Sequence, residues 1–210
     1  MLKGPLDTPL YRFLHLWVPA VLRFVFRIRV FGVENVPREG AVLLAANHRS
    51  NLDPIFIGAM APRQVHFMAK SELWSFAPFG RFLELLGAFP VQRGHPDRPA
   101  VRRALDMLDR GAVVGMFPEG HRQKDGRLGE PQAGVGLFAG KEGVTTVPVA
   151  IAGTERIMRG GVPRLPRIEI RFGAPVDAQV AGVKKSVRHE VISRRIMQSL
   201  RRLLGQEDDA

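Results

Sequence analysis

The 210-residue sequence contains no cysteine, and this absence removes several classes of site at once. Without thiols the chain cannot form disulfides, thiolate metal sites or a cysteine acyl-enzyme intermediate. The sequence also lacks a Gly-x-Ser-x-Gly elbow, which presents the serine nucleophile of many hydrolases. No cluster of His, Asp and Glu has the spacing of metal ligands, so we expect neither a metal nor another cofactor. The common routes to a covalent enzyme intermediate are therefore closed.

Acidic residues are also scarce relative to basic ones. The chain has 20 Asp and Glu against 31 Lys and Arg, which gives a formal net charge of +11. This excess favours an anionic partner, such as nucleic acid, an anionic membrane surface, or a phosphorylated or acidic substrate. With a single Tyr, and without an RNA-binding aromatic signature or a zinc finger, nucleic acid is the weaker candidate, and we expect no nucleic-acid partner.

The apolar stretch near the amino terminus is too short to cross a bilayer, which needs about 20 residues. Residues 10–27 are interrupted by three arginines, and their longest charge-free part covers residues 13–22. Projected on a helix, the stretch has two faces: Arg12, Pro19, Arg23 and Arg27 on one side, and Phe13, Trp17, Val21, Phe24 and Ile28 on the other. This pattern predicts a helix that lies in a membrane interface and bends at Pro19. A terminal helix packed on the protein's own core is the alternative.

The length and the 45% hydrophobic content allow one full α/β core and leave little for a second domain. Short charge-free runs are typical of strands buried on both faces of a parallel sheet. The runs and periodicities predict strands at residues 28–33, 41–46, 65–69, 112–117, 147–151 and 167–172, and helices at 79–86, 99–108 and 184–204. Pro148 indicates an edge or terminal position for its strand.

We therefore expect an α/β fold, with a mixed, largely parallel sheet flanked by helices and an N-terminal amphipathic, membrane-associating helix. Residues 1–27 would form the membrane-interface helix, 28–204 a single α/β domain, and 205–210 a frayed tail.

The predicted central strand at 41–46 runs directly into the sequence Asn-His-Arg-Ser-Asn-Leu-Asp at residues 47–53. Asp53 followed by Pro54 predicts a helix start, because proline gives up an N–H that would be unpaired there anyway. His48 would then lie where a strand's carboxyl end meets a helix N-terminus, the place where open α/β sheets bind ligands. If the chain loops back so that the two side chains touch, Asp53 makes His48 a general base. Alone, a His-x4-Asp pair is a weak signal.

Three further blocks follow in order. Gly87-x-Phe89-x3-Arg93 places one arginine at the end of a short extended segment. After the strand at 112–117 comes Phe117-Pro118-Glu119-Gly120-His121-Arg122, in which a carboxylate and an arginine can hold a phosphate or orient another side chain. The alternative for this pair is a surface ion pair of little energetic consequence. The last block is Val147-Pro148-Val149-Ala150-Ile151.

These four blocks, in this order, resemble those of the glycerophospholipid acyltransferase superfamily, and residues 28–172 are most similar to its bacterial 1-acylglycerol-3-phosphate acyltransferases. The resemblance implies that His48 is the general base and Asp53 its orienting partner. It implies further substrate-binding residues: Arg93 for the acceptor phosphate, with Gly87 in the same block; Glu119, Gly120 and Arg122 for the acceptor site; and Pro148 for the acyl-donor side. The family usually has Thr or Ser where this chain has His121.

The implied reaction moves a fatty acyl group from acyl-CoA or acyl carrier protein directly to the free hydroxyl of 1-acyl-sn-glycerol 3-phosphate, giving phosphatidic acid. The acyl donor is a co-substrate, and no cofactor is implied. We expect a peripheral or monotopic protein on the cytoplasmic face of the cell membrane, bound to its anionic surface.

Three alternatives remain at this stage. The acceptor can be another lysolipid, such as one that contains an amino acid. The protein can be a non-enzymatic peripheral lipid-binding protein, which would not need His48 and Asp53. It can also be a thioester or lipid hydrolase in which the same base activates water.

Overall fold

The computed structural model describes residues 9–92, 97–123, 126–132, 134–159, 161–178, 180 and 184–206. Within these ranges the helices are α1 (Pro9–Phe26), α2 (Asp53–Met60), α3 (Ala77–Leu85), α4 (Arg98–Asp109), α5 (Gly134–Ala139) and α6 (Lys185–Leu204). The strands are β1 (Arg29–Phe31), β2 (Ala41–Ala46), β3 (Val65–Lys70), β4 (Phe89–Val91), β5 (Val113–Met116), β6 (Val144–Ala152), β7 (Met158–Arg159), β8 (Val162–Pro163) and β9 (Glu169–Phe172).

Seven strands form one sheet in the order β1-β9-β6-β2-β5-β3-β4, and β7 pairs with β8 in a separate hairpin. Among the described strands of the main sheet, only β6 and β9 pair antiparallel, so the predicted mixed, largely parallel α/β fold is confirmed. The five strands from β6 to β4 consequently point their carboxyl ends to the same edge. Because β2 lies between β6 and β5, the segments that follow these three strands meet at that edge.

The charge-free sequence of β2 reflects burial on both faces of the sheet. Val42, Leu44 and Ala46 pack with α2 on one face, whereas Leu43 and Ala45 pack with α4, α5 and α6 on the other. All five of these side chains have no exposed surface. Burial of this kind contributes roughly 25 cal/mol per Å² of apolar surface, so the strand is held firmly where it enters the His48 segment.

The proline in β6 does not mark a sheet edge, and that prediction was wrong. β6 lies inside the sheet between β9 and β2, and Pro148 is aligned with Ala45 of β2. The antiparallel register with β9 ends at Val149 opposite Phe172, and the carbonyl of Pro148 then accepts a hydrogen bond from Gly173 N at 2.8 Å. Pro148 therefore lies just beyond the last residue pair with β9. Its lack of an N–H removes no hydrogen bond between these two strands.

Helix α1 packs on α2 with one face and exposes apolar side chains to solvent on another. Leu22 and Phe26 contact the core, and the Phe26 ring meets Phe56 edge-to-face at 5.1 Å. Trp17 and Phe24 are 57% and 88% exposed. Ile28 was predicted to share their face, but it is buried because the helix has already ended at Phe26 and Arg27 has a positive φ of 46°. No helix in the described ranges combines the length and hydropathy needed to span a membrane.

Candidate active site

The end of β2 is fastened to β6 by the side chain of Asn47. Its Nδ2 donates to the carbonyl of Ile151 at 2.9 Å, and Ile151 N donates to its Oδ1 at 2.7 Å. Asn47 is buried, so both hydrogen bonds form away from water, where an unpaired amide would be costly. This pair of bonds fixes the point from which the next residue, His48, projects.

His48 and Asp53 are in contact, as the sequence required for a base-and-orienter pair. Nδ1 of His48 lies 2.9 Å from Oδ2 of Asp53. The same oxygen accepts the backbone N–H groups of Arg49 at 2.6 Å and Ser50 at 2.7 Å, which makes the intervening chain loop back. Asp53 is fully buried and is the first residue of α2, with Leu52 at the capping position. Its carboxylate therefore holds the preceding loop and does not cap its own helix.

This arrangement defines the tautomer of the imidazole. An Asp53 oxygen that already accepts two backbone N–H groups acts as an acceptor toward His48, so Nδ1 carries the proton. Nε2 then holds the free lone pair, and it has no hydrogen-bond partner within the described ranges. The ring stacks on Phe117 with centroids 3.9 Å apart, and only 4% of the His48 surface is exposed. The geometry suits proton abstraction by Nε2.

Glu119 touches the same loop, but through backbone groups. One of its oxygens accepts from His48 N at 2.8 Å, and the other accepts from Gly129 N at 3.0 Å. Burial raises the pKa of Glu119, while the two backbone hydrogen bonds and the nearby His48 and Arg49 act in the opposite direction. Glu119 thus joins the His48 loop to the loop that follows β5, through a backbone N–H of each.

The residues after Glu119 run along the surface and return to His48. Gly120 adopts a positive φ of 70°, and a Cβ there would lie 2.8 Å from Cγ of Gln132. Gln123 N then donates to the carbonyl of His48 at 2.8 Å. Arg122 lies one residue before this bond, is exposed, and has no hydrogen-bond or ion-pair partner within the described ranges. The backbone at Arg122 is therefore held next to the loop that carries the His48–Asp53 pair (the dyad), and its exposed guanidinium is available to an anion.

The other predicted substrate-binding residues are less directly connected to the dyad. Arg93 lies outside the described residues. Gly87 is buried, has a positive φ of 89°, and its carbonyl accepts from Nδ1 of His66 at 2.9 Å. It begins the connection into β4, which ends at the same sheet edge as β2. Pro148 is buried within β6 against Gly173, and the hydrogen bonds of its block to the site come from Ile151.

An apolar cavity of about 230 Å³ lies between α1, α2, α3 and β3, and neither His48 nor Asp53 is part of its wall. Its walls are formed by His15, Val18, Pro19, Pro54, Ile55, Gly58, Ala59, Val65, Phe67, Phe82, Leu83, Leu86 and Ala88. Pro54 follows Asp53 directly, and the Phe67 ring stacks on Phe117, which in turn stacks on His48. The block around Pro148 contributes nothing to this wall.

Comparison with protein families places the sequence in a known group. Residues 27–152 match the family described as Acyltransferase, a range that covers more than half of the chain and contains all four blocks. The chain belongs to the acyltransferase family.

Named relatives and a solved structure are similar to this acyltransferase. It is 32% identical over 149 residues to the chloroplastic 1-acyl-sn-glycerol-3-phosphate acyltransferase LPAT1 of Arabidopsis thaliana, covering 70% of this chain and 42% of the relative. It is 33% identical over 165 residues to a lyso-ornithine lipid O-acyltransferase of Pseudomonas aeruginosa, covering 77% and 60%. The matched regions thus span only about half the length of these relatives.

The acyltransferase has the same fold as the 1-acyl-sn-glycerophosphate acyltransferase PlsC from Thermotoga maritima, as seen in the crystal structure of that protein. The TM-score is 0.67 at 22% identity, and the match covers 94% of this chain and 84% of the other. At this identity the likeness establishes the fold.

Sequence reasoning missed two residues of the acyltransferase site, Asn47 and Thr154. Thr154 is buried, and its Oγ1 donates to Oδ1 of Asp53 at 2.6 Å. Asn47 was signalled by its place directly after the predicted strand at 41–46, whereas Thr154 comes three residues after the predicted strand at 147–151. Their roles became visible only when the sheet placed β6 beside β2.

Proposed function

We propose that this acyltransferase transfers a fatty acyl group from a thioester to the free hydroxyl of 1-acyl-sn-glycerol 3-phosphate, giving phosphatidic acid. The observation that carries the proposal is the buried His48–Asp53 pair, in which Nδ1 donates to Oδ2 at 2.9 Å and Nε2 keeps its lone pair. The name of the Arabidopsis relative supports the choice of acceptor. Either acyl-CoA or acyl carrier protein suits a chain of net charge +11, because both donors are anionic.

In the proposed mechanism, Nε2 of His48 removes the proton from the acceptor hydroxyl as its oxygen attacks the thioester carbonyl. Asp53 stabilises the imidazolium that forms, through the hydrogen bond from Nδ1. The tetrahedral intermediate then collapses, the C–S bond breaks, and the thiolate leaves and takes up the proton held by His48. Because the chain contains no cysteine, no thiol competes as a nucleophile. The reaction proposed here is direct transfer and needs no cofactor.

We propose that Arg122, together with Arg93, binds the phosphate of the acceptor and so brings its hydroxyl to His48. Arg122 is exposed, and its backbone lies next to that of His48 because the next residue, Gln123, donates to the carbonyl of His48. A guanidinium binds phosphate through two parallel hydrogen bonds, which orient the acceptor as well as attract it. In this scheme Glu119 and Gly120 determine the path of the loop that carries Arg122.

Arg122→Ala is expected to weaken acceptor binding by about 10–100-fold, the range for loss of a charged hydrogen-bonding partner of roughly 1.5–3 kcal/mol. The KM of the thioester should change little, and Arg122→Lys should restore only part of the loss because lysine cannot bind in a forked geometry. Steady-state kinetics with each substrate varied in turn measures both effects. An equal loss with an acceptor that lacks the phosphate would contradict the assignment.

We propose that the apolar cavity receives an acyl chain during the reaction. Its lining is apolar apart from His15. Pro54 follows Asp53 in the chain, and Phe67 stacks on Phe117, which stacks on His48. Apolar pockets with few polar groups are the usual sites for such chains.

We further propose that the protein acts at the cytoplasmic face of the cell membrane, as a peripheral or monotopic protein bound to the anionic lipid surface. Helix α1 exposes five large apolar side chains: Phe13, Leu16, Trp17, Val21 and Phe24. The α3 region exposes five more: Leu73, Phe76, Phe79, Phe82 and Leu85. Both helices border the apolar cavity and are therefore neighbours at its rim. Extended apolar surfaces of this kind mark membrane or partner contacts.

The double variant Trp17→Glu with Phe24→Glu is expected to move the protein from liposomes to the soluble fraction without unfolding it, because both side chains are exposed. Binding of the wild type should weaken with added salt yet persist, since each basic contact adds about 1 kcal/mol to the apolar contribution. Activity on a bilayer-dissolved acceptor should fall, whereas activity on a short-chain soluble acceptor should survive. Liposome flotation and a thermal melt provide the measurements.

The matched control adds the same two negative charges at Val162 and Leu165, which are 56% and 58% exposed and lie outside α1 and α3. Val162→Glu with Leu165→Glu should still float with liposomes. A folded Trp17→Glu, Phe24→Glu variant that also floats would refute the interfacial role of α1.

A second candidate acceptor is a lyso-ornithine lipid, favoured by the 33% identity to the Pseudomonas relative. Its head group has no phosphate, so it gives Arg122 no such partner. Assaying the purified protein against a panel of lysolipids, with acyl-CoA and acyl carrier protein as donors, distinguishes the two. Preference for 1-acyl-sn-glycerol 3-phosphate would support the main proposal. A hydrolase would release free fatty acid, and a non-enzymatic lipid-binding protein would form no product.

A further inference from the structure

Thr154 bonds to the carboxylate of Asp53 from the segment that follows β6, whereas His48 is in the segment that follows β2. Thr154 is at the first position of a short 3-10 turn, and only 1% of its surface is exposed. Its Oγ1 donates to Oδ1 of Asp53 at 2.6 Å. The two residues are 101 positions apart in sequence, so this contact depends on the pairing of β6 with β2.

The hydrogen-bond donors around Asp53 are divided unequally between its two oxygens. Oδ2 accepts from Nδ1 of His48 and from the backbone N–H groups of Arg49 and Ser50. Within the described ranges, Oδ1 accepts only from Thr154. Bonds to both oxygens prevent rotation of the carboxylate about its Cβ–Cγ bond. Loss of the hydroxyl would free one side of the group, and the Oδ2 that orients His48 would move with it.

We infer that Thr154 is a positioning residue, which holds Asp53 in the plane that orients His48 and so completes a chain from Thr154 through Asp53 to His48. The expected effects on turnover rest on the proposed function. The expected effect on the orientation of His48 does not. Thr154 transfers no proton and has no assigned contact with either substrate.

Thr154→Val retains the shape of the side chain and removes the hydroxyl. Turnover is expected to fall by about 10–100-fold, because small displacements of a catalytic group have effects of this order. The KM values of both substrates should stay within about twofold, since the interactions proposed to bind them are untouched. Thr154→Ser keeps the hydroxyl and should retain most of the wild-type turnover. Thr154→Ala differs from Thr154→Ser by the hydroxyl alone and repeats the comparison should the valine variant fail to fold.

The chain offers a matched control in Thr146, which is on β6, is equally buried at 1%, and has an Oγ1 without a hydrogen-bond partner among the residues that the structure describes. Thr146→Val makes the same chemical change in the same strand but breaks no hydrogen bond. It should leave turnover and thermal stability close to those of the wild type.

The decisive experiment is nuclear magnetic resonance of histidine-labelled protein without substrate, with His48 assigned by comparison with His48→Ala. The Nδ1–H proton of His48 should give a resonance that is preserved in Thr154→Ser and Thr146→Val and is shifted or broadened in Thr154→Val. A wild-type resonance in Thr154→Val, or a loss of turnover that Thr154→Ser shares, would overturn the inference. If the wild-type protein acylates no lysolipid, the proposed function fails, while the resonance still decides the role of Thr154.

Discussion

Replacing His48 with alanine is expected to lower turnover by about 10²–10⁴-fold, the usual contribution of a general base, and to leave the protein folded. The loss follows because, in the proposed mechanism, the lone pair of Nε2 takes the proton of the acceptor hydroxyl. The fold should survive because the backbone at this position is held independently of the ring: His48 N donates to Glu119, and Gln123 N donates to the carbonyl of His48. Initial rates with a labelled thioester, beside a thermal melt, give both quantities.

Asp53→Asn should lower turnover by a comparable factor without a large loss of stability. The amide oxygen can still accept the backbone N–H groups of Arg49 and Ser50, and the amide NH₂ can donate to the hydroxyl of Thr154. The charge that stabilises the imidazolium is nevertheless gone. Because the pair acts as one unit, the double variant should be scarcely less active than His48→Ala.

His189→Ala serves as the histidine control, because His189 is exposed on α6 and makes no side-chain contact with the dyad. It should retain full turnover. If folded His48→Ala kept most of its turnover, or if the losses in the double variant simply multiplied, His48 and Asp53 would not be the base and its partner.

Glu119→Gln is expected to reduce turnover by about 100-fold, with a smaller rise in the acceptor KM because Glu119 also sets the path of the loop that carries Arg122. Both carboxylate oxygens accept backbone N–H groups, from His48 at 2.8 Å and Gly129 at 3.0 Å. A glutamine can accept only one of them and sets its own NH₂ against the other, so a buried donor loses its partner. The loop that carries His48 would then shift. Kinetics with the acceptor varied separates turnover from binding.

The control for Glu119→Gln is Glu130→Gln on the same loop, where the side chain is 90% exposed and its ion pair with Arg201, at 3.7 Å, contributes little. This variant should behave like the wild type. A Glu119→Gln enzyme with normal turnover and a greatly raised acceptor KM would instead make Glu119 a contact of the acceptor.

The fold and the dyad could be predicted from sequence because their signals are local. The β2 strand is buried on both faces and so has no charged residue, and Asp53-Pro54 marks the start of α2 next to it. A strand end and a helix start that close together bring His48 and Asp53 within reach, and the backbone bonds from Arg49 and Ser50 close the loop.

The remaining features depend on contacts between distant segments. Thr154 reaches Asp53 only through the pairing of β6 with β2, and Pro148 is tolerated inside the sheet only because β9 ends beside it. Helix α5 was not predicted, since Gly134 and Gly136 disfavour helix formation. Gly136 is required there because α5 approaches the backbone of His189 on α6 too closely for a side chain.

The most direct test of the central claim is product analysis with a labelled thioester and 1-acyl-sn-glycerol 3-phosphate, using the wild type and His48→Ala side by side. Direct transfer with His48 as the base predicts one phosphatidic acid for each thiol released, no free fatty acid, and loss of both products in the variant. Free fatty acid as the main product, or phosphatidic acid formed at an undiminished rate by folded His48→Ala, would contradict it.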